Sequence, residues 1–116
     1  MTTARFRVAR LDEIPPQGAC LVLSNEATIA LFKTHDQKVY ALEDRCPHKG
    51  GPLSEGIVHG SCVTCPLHNM VILLDSGRAQ PPDEGQVRTY PVEVENGEVF
   101  IALPCPPVGL DAPSST

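Results

Sequence analysis

The chain has 116 residues, is 41% hydrophobic and 20% charged, and carries a formal net charge of −5 at pH 7. That length suits one domain with a single core, and the acidic balance argues against nucleic acid, which calls for a basic stripe. No apolar run approaches the roughly 20 residues of a membrane span, and the opening MTTARFRVARLDEIPP lacks the apolar stretch of a secretory signal. The expectation is therefore a cytoplasmic protein. Five cysteines, an odd number, fit a disulfide framework poorly in a reducing compartment. Metal binding or burial as thiols remains for them. The acidity also suits docking onto a basic patch of a partner, but many soluble proteins are this acidic.

Strand signals dominate the chain. Residues 6–11 (FRVARL) and 19–25 (ACLVLSN) read as short strands around the turn-rich DEIPPQG. Residues 28–34 (TIALFKT) and 39–44 (VYALED) flank His35-Asp36-Gln37-Lys38 as a hairpin. A tighter hairpin is predicted from GIVHG to CVTC through Gly60-Ser61, followed by MVILLD up to Ser76-Gly77. The clearest signal comes last: RTYPVEVE, then Asn96-Gly97, then EVFIAL, where Asn-Gly favours the type I′ turn. There Val92 and Val94 alternate with Glu93 and Glu95 as a half-buried strand should. No stretch sustains a 3.6-residue apolar period, so an all-β sandwich or barrel is expected. Residues 104–116, PCPPVGLDAPSST, read as a flexible Pro-rich tail carrying Cys105.

Most of the remaining polar residues have plain readings. His35 reads as a hairpin-turn residue, His59 as a polar position on a strand, and Cys20 as a small buried hydrophobe within CLVL. The stretch Pro82 to Gly85 reads as a turn, and Tyr90 as a core or rim aromatic.

Four other residues carry chemistry. Cys46 and His48 form C-x-H within CPHKGGPLSEG, Cys65 and His68 form C-x-x-H within CPLHN, and sixteen residues separate His48 from Cys65. Two thiolates and two imidazoles on two turn-rich loops suit a tetrahedral metal site. Zinc would take all four on one ion. Mixed Cys-His pairs also suit a two-iron cluster in which two imidazoles replace two thiolates on one iron. Neutral imidazoles leave the reduced cluster less negative, so it accepts an electron more readily. The neighbouring C-x-x-C of Cys62 and Cys65 reads as a coincidence, because Cys62 has no matching partner upstream.

CPHKGGPLSEG with CPLHN resembles the Rieske 2Fe–2S domain, whose pattern is C-x-H, about fifteen to seventeen residues, then C-x-x-H. The resemblance implies a Rieske-type antiparallel β-sandwich or barrel over residues 1–103. A small cluster-binding subdomain of two loops, at about 45–70, would be set into the β base. It also implies that Cys46 and Cys65 bind an inner iron and His48 and His68 an outer one. Gly50 and Gly51 would admit backbone N–H groups to the cluster sulfurs, and Pro66 would help hold the second loop.

Taken with VTCPLHN and PDEGQVRTYPVEVENGEVFI, the chain is similar to the small subunit of assimilatory NAD(P)H-dependent nitrite reductase over roughly 6–103. It departs from that pattern at Met70, where the family usually has Trp. The implied partner is a large sirohaem and flavin subunit, with no nucleic acid or membrane involved. The alternative is a Rieske ferredoxin serving a ring-hydroxylating oxygenase and its reductase. An alternative of another class is a zinc-stabilised interaction module.

Respiratory Rieske proteins carry an extra disulfide-bonded cysteine in each loop and a serine near the second histidine. Gly51, Leu67, Asn69 and Met70 stand in those neighbourhoods here. Fewer donors disfavour the reduced state, so a potential low in the Rieske range is expected. The ring nitrogens of His48 and His68 are further expected to couple potential to pH.

Overall fold

The computed structural model describes residues 4–24, 28–45, 52–65, 70–81, 84–103, 107 and 109–111. Among the described residues, eleven strands run in chain order: β1 Ala4–Arg10, β2 Gly18–Leu23, β3 Thr28–Lys33, β4 Val39–Glu43, β5 Ile57–His59 and β6 Cys62–Thr64, then β7 Val71–Leu73, β8 Thr89–Tyr90, β9 Val92–Glu95, β10 Glu98–Leu103 and β11 Gly109–Asp111. The helical segments among the described residues are two 3₁₀ turns, Leu11–Glu13 and Leu53–Glu55. Among the described residues, no helix is long and apolar enough to cross a membrane. These strands pair antiparallel, and the described residues form three sheets ordered β1-β10-β9, β11-β2-β3-β4-β8 and β5-β6-β7. The expected all-β fold is observed.

The middle sheet explains the sequence of its central strand. β3, TIALFK, is buried at every position after Thr28, because both of its faces are covered. Ile29 and Leu31 face one core with Val8, Val22, Val99 and Ile101, which joins this sheet to β1-β10-β9. Ala30 and Phe32 face a second core with Leu42, Leu53, Val63 and Ile72, which joins it to β5-β6-β7. Side chains two apart share a face, so a single strand ties the base to the small sheet. Lys33 continues the first face; its stem is buried while Nζ donates to Leu11 O at 3.1 Å.

The turns follow their residues. Asn96 and Gly97 both have positive φ, 53° and 77°, as a type I′ turn requires. His35 is exposed in the turn closed by Thr34 N–H to Lys38 O at 2.9 Å.

Two expectations change. Val94 is 41% exposed rather than half-buried. It sits on an edge strand two residues from the turn, and Glu93 and Glu95 beside it pair with Arg5 at 3.0 and 2.9 Å. Within the stretch expected to be a flexible tail, Gly109–Asp111 pairs with β2 and extends the middle sheet. Proline content hid that strand, since Pro107 lies just before it rather than in the ladder. Cys105 lies outside the described residues.

Candidate metal centre

The first pair expected from the sequence, Cys46 and His48, falls in the chain between β4 and β5. At the exit from β4, Glu43 N–H donates to Arg88 O and Asp44 N–H to Thr28 O, each at 2.8 Å. The chain re-enters at Pro52 and turns through Leu53–Glu55, where Gly56 N–H closes on Leu53 O at 2.9 Å. Leu53 is fully buried and packs in the same core as Val63, Cys65 and Met70. Across the connection, Asp44 Oδ1 accepts Ser54 N–H at 2.7 Å and Asp44 Oδ2 accepts the Ser54 hydroxyl at 3.0 Å.

The second pair begins at the end of β6. Cys65 N–H donates to Met70 O at 2.8 Å, joining the chain on either side of residues 66–69. Cys65 is fully buried, and Met70, the residue that replaces the expected Trp, is 5% exposed in the same core. The bases of the two connections touch. A Cβ added to Gly56 would collide with Thr64 O and lie 3.0 Å from Val63 Cγ2, so glycine is what lets this turn lie on β6.

Cys65 is thus placed at the root of the second connection. Cys46, His48 and His68 lie outside the described residues, as do Gly50, Gly51, Pro66, Leu67 and Asn69. Cys20 is buried as expected, and burial pushes its thiol up to about 11. His59 is exposed on β5, with Nε2 2.6 Å from Thr64 Oγ1. Tyr90 is a buried aromatic of the first core, with the Arg88 guanidinium 5.5 Å from its ring centroid. Of the turn at 82–85, Pro82 and Asp83 lie outside the described residues. Sequence reasoning passed over Asp44, Ser54 and Gly56. Ten positions separate Asp44 from Ser54, and no periodicity pairs residues across such a connection.

The described residues form a small antiparallel β domain with a buried thiol at the root of a pinned connection. The chain belongs to the Rieske-like [2Fe–2S] domain family, whose model matches residues 5–102.

Among known proteins, it is 40% identical over 91 residues to the 3-phenylpropionate/cinnamic acid dioxygenase ferredoxin subunit of Escherichia coli, covering 77% of this chain and 85% of that one. A solved structure described as a small subunit of NADPH nitrite reductase superposes with a TM-score of 0.76 at 29% identity, over 84% of this chain and 97% of that one. The ferredoxin of carbazole 1,9a-dioxygenase from Nocardioides aromaticivorans superposes with a TM-score of 0.74 at 27% identity, over 87% and 97%.

The cofactor is accordingly a Rieske-type [2Fe–2S] cluster, and the zinc-stabilised module is set aside. Cys65 fits it: the side chain is fully buried, in the same core as Leu53, Val63 and Met70. When bound, the cluster supplies one-electron transfer. The chain's own part is to exclude water from the thiol and to fix where the two connections start and finish.

Proposed function

We propose that this chain is the ferredoxin of a ring-hydroxylating oxygenase system, holding its cluster through Cys46, His48, Cys65 and His68. It takes single electrons from a reductase and delivers them to a terminal oxygenase. The observation that carries this reading is the 40% identity to a dioxygenase ferredoxin subunit across 85% of that protein.

A second reading is kept for a specific reason. The fold superposes as well on a nitrite reductase small subunit, at a TM-score of 0.76, as on a dioxygenase ferredoxin, at 0.74. The sequence resemblance described above leads the same way. In that reading the chain passes electrons within a complex that reduces nitrite to ammonium, beside a large sirohaem and flavin subunit.

The test supplies the purified, cluster-loaded chain in place of the native carrier in two assays. One contains the reductase and terminal oxygenase of an aromatic-ring dioxygenase; the other contains the large subunit of a nitrite reductase with nitrite. Hydroxylated product in the first and no ammonium in the second is expected. Ammonium formation that depends on this chain, with no hydroxylated product, would replace the ferredoxin reading with the nitrite reductase one.

A further inference from the structure

We propose that Asp44 is a positioning residue for the cluster. With Ser54 it clamps both ends of the connection that contains Cys46 and His48, and Gly56 seats that clamp on the strand leading to Cys65. The inference rests on the ligand reading above and adds to it the device that fixes the spacing of the two ligand pairs.

Asp44 is itself anchored to the base, its N–H on Thr28 O at 2.8 Å. Its carboxylate is used at both oxygens by one residue, through the backbone N–H and the hydroxyl of Ser54. Hydrogen bonds to an ionised acceptor are about twice as strong as neutral ones. This pair is partly buried, so a lost partner is only partly replaced by water.

Ser54 is held from its other side as well. Its neighbour Leu53 is fully buried against Val63 and Cys65, and Gly56 lies directly on Thr64 O. From Asp44 to Cys65 there is an unbroken path: carboxylate to Ser54, the 3₁₀ turn to Gly56, Gly56 to Thr64, and Thr64 to Cys65. Moving one end moves the relative position of the two ligand pairs. Groups behind metal ligands change metal affinity by about ten- to a hundredfold when removed.

Three variants of the cluster-loaded protein test this: Asp44→Ala, Asp44→Asn and Ser54→Ala. The readouts are the rate at which an iron chelator bleaches the visible absorbance and the EPR spectrum of the dithionite-reduced protein. Asp44→Ala is expected to release its cluster roughly ten to a hundred times faster, with a broadened or shifted EPR spectrum. Asp44→Asn, whose amide oxygen still accepts the Ser54 N–H, restores a rate within about threefold of wild type. Ser54→Ala keeps the backbone bond and falls between them, which preserves the test if Asp44→Ala does not fold.

Wild-type release and EPR spectra in both alanine variants would overturn the inference. So would an Asp44→Asn protein as labile as Asp44→Ala. Cys46→Ser is the control for the ligand reading: if it keeps the wild-type cluster, that reading fails and the positioning role with it.

Discussion

Strand alternation separates the two cysteines of the C-x-x-C. Cys62 is partly exposed on β6, sharing a face with Thr64, while Cys65 shares the inward face of Val63 and is fully buried. Cys62→Ser is therefore expected to keep the full iron content and reduced EPR signal of wild type, whereas Cys65→Ser loses both. Equal loss in the two variants would contradict this assignment.

Cys20 offers a prediction in pH. Burial, with the nearby Glu13 adding to it, raises this thiol from 9.0 to about 11. The folded state then holds the proton more tightly than the unfolded chain, so its contribution is complete below about pH 9. It is lost as pH rises towards about 11. Thermal unfolding midpoints of wild type should fall across that window more steeply than those of Cys20→Ala. Parallel curves would mean that this thiol does not titrate with folding.

At the scale of elements, the contact between the Leu53–Glu55 turn and β6 is the tightest joint of the site. Gly56→Ala must push the turn off Thr64 O, with an expected cost of about 1–3 kcal/mol in chemical denaturation. Gly60→Ala meets open space but keeps φ at +56°, so it costs only backbone strain, about 1 kcal/mol. Equal stability of the two variants would remove the close approach from the picture.

Element positions were legible in the sequence wherever a two-residue alternation ended in a turn residue. The His35–Lys38 hairpin, the Gly60-Ser61 turn and the Asn96-Gly97 turn all appear where those signals lie. β11 was not legible, because three residues inside a Pro-rich stretch carry no periodicity, and only the open edge of β2 makes them a strand. Val94 misled for a related reason: alternation predicts which face a residue occupies, but not whether anything covers that face. The Asp44–Ser54 clamp depends on a chain reversal, which sequence order does not encode.

For the whole molecule, the middle sheet is the structural link between an inert β base and the site. Its two faces feed two cores through alternate residues of β3, and only the core containing Phe32 reaches Cys65. The motif made the family legible, and the family match over residues 5–102 agrees with it. It could not make the partner legible, since a nitrite reductase small subunit and a dioxygenase ferredoxin share this fold.

The sequence departs from respiratory Rieske proteins at Gly51, Leu67, Asn69 and Met70, and on that comparison fewer donors to the cluster are expected. A redox titration is therefore expected to give a midpoint in the lower part of the range of about −150 to +300 mV. A strongly positive midpoint would show that other donors stabilise the reduced state.

The ligand assignment of Cys46, His48, Cys65 and His68 is tested most directly by electron–nuclear double resonance on the dithionite-reduced protein, with and without nitrogen-15 histidine. Two histidine nitrogens coupled to the cluster, both shifting with the label, are predicted. A reduced cluster with no nitrogen coupling, as an all-cysteine site would give, would contradict it.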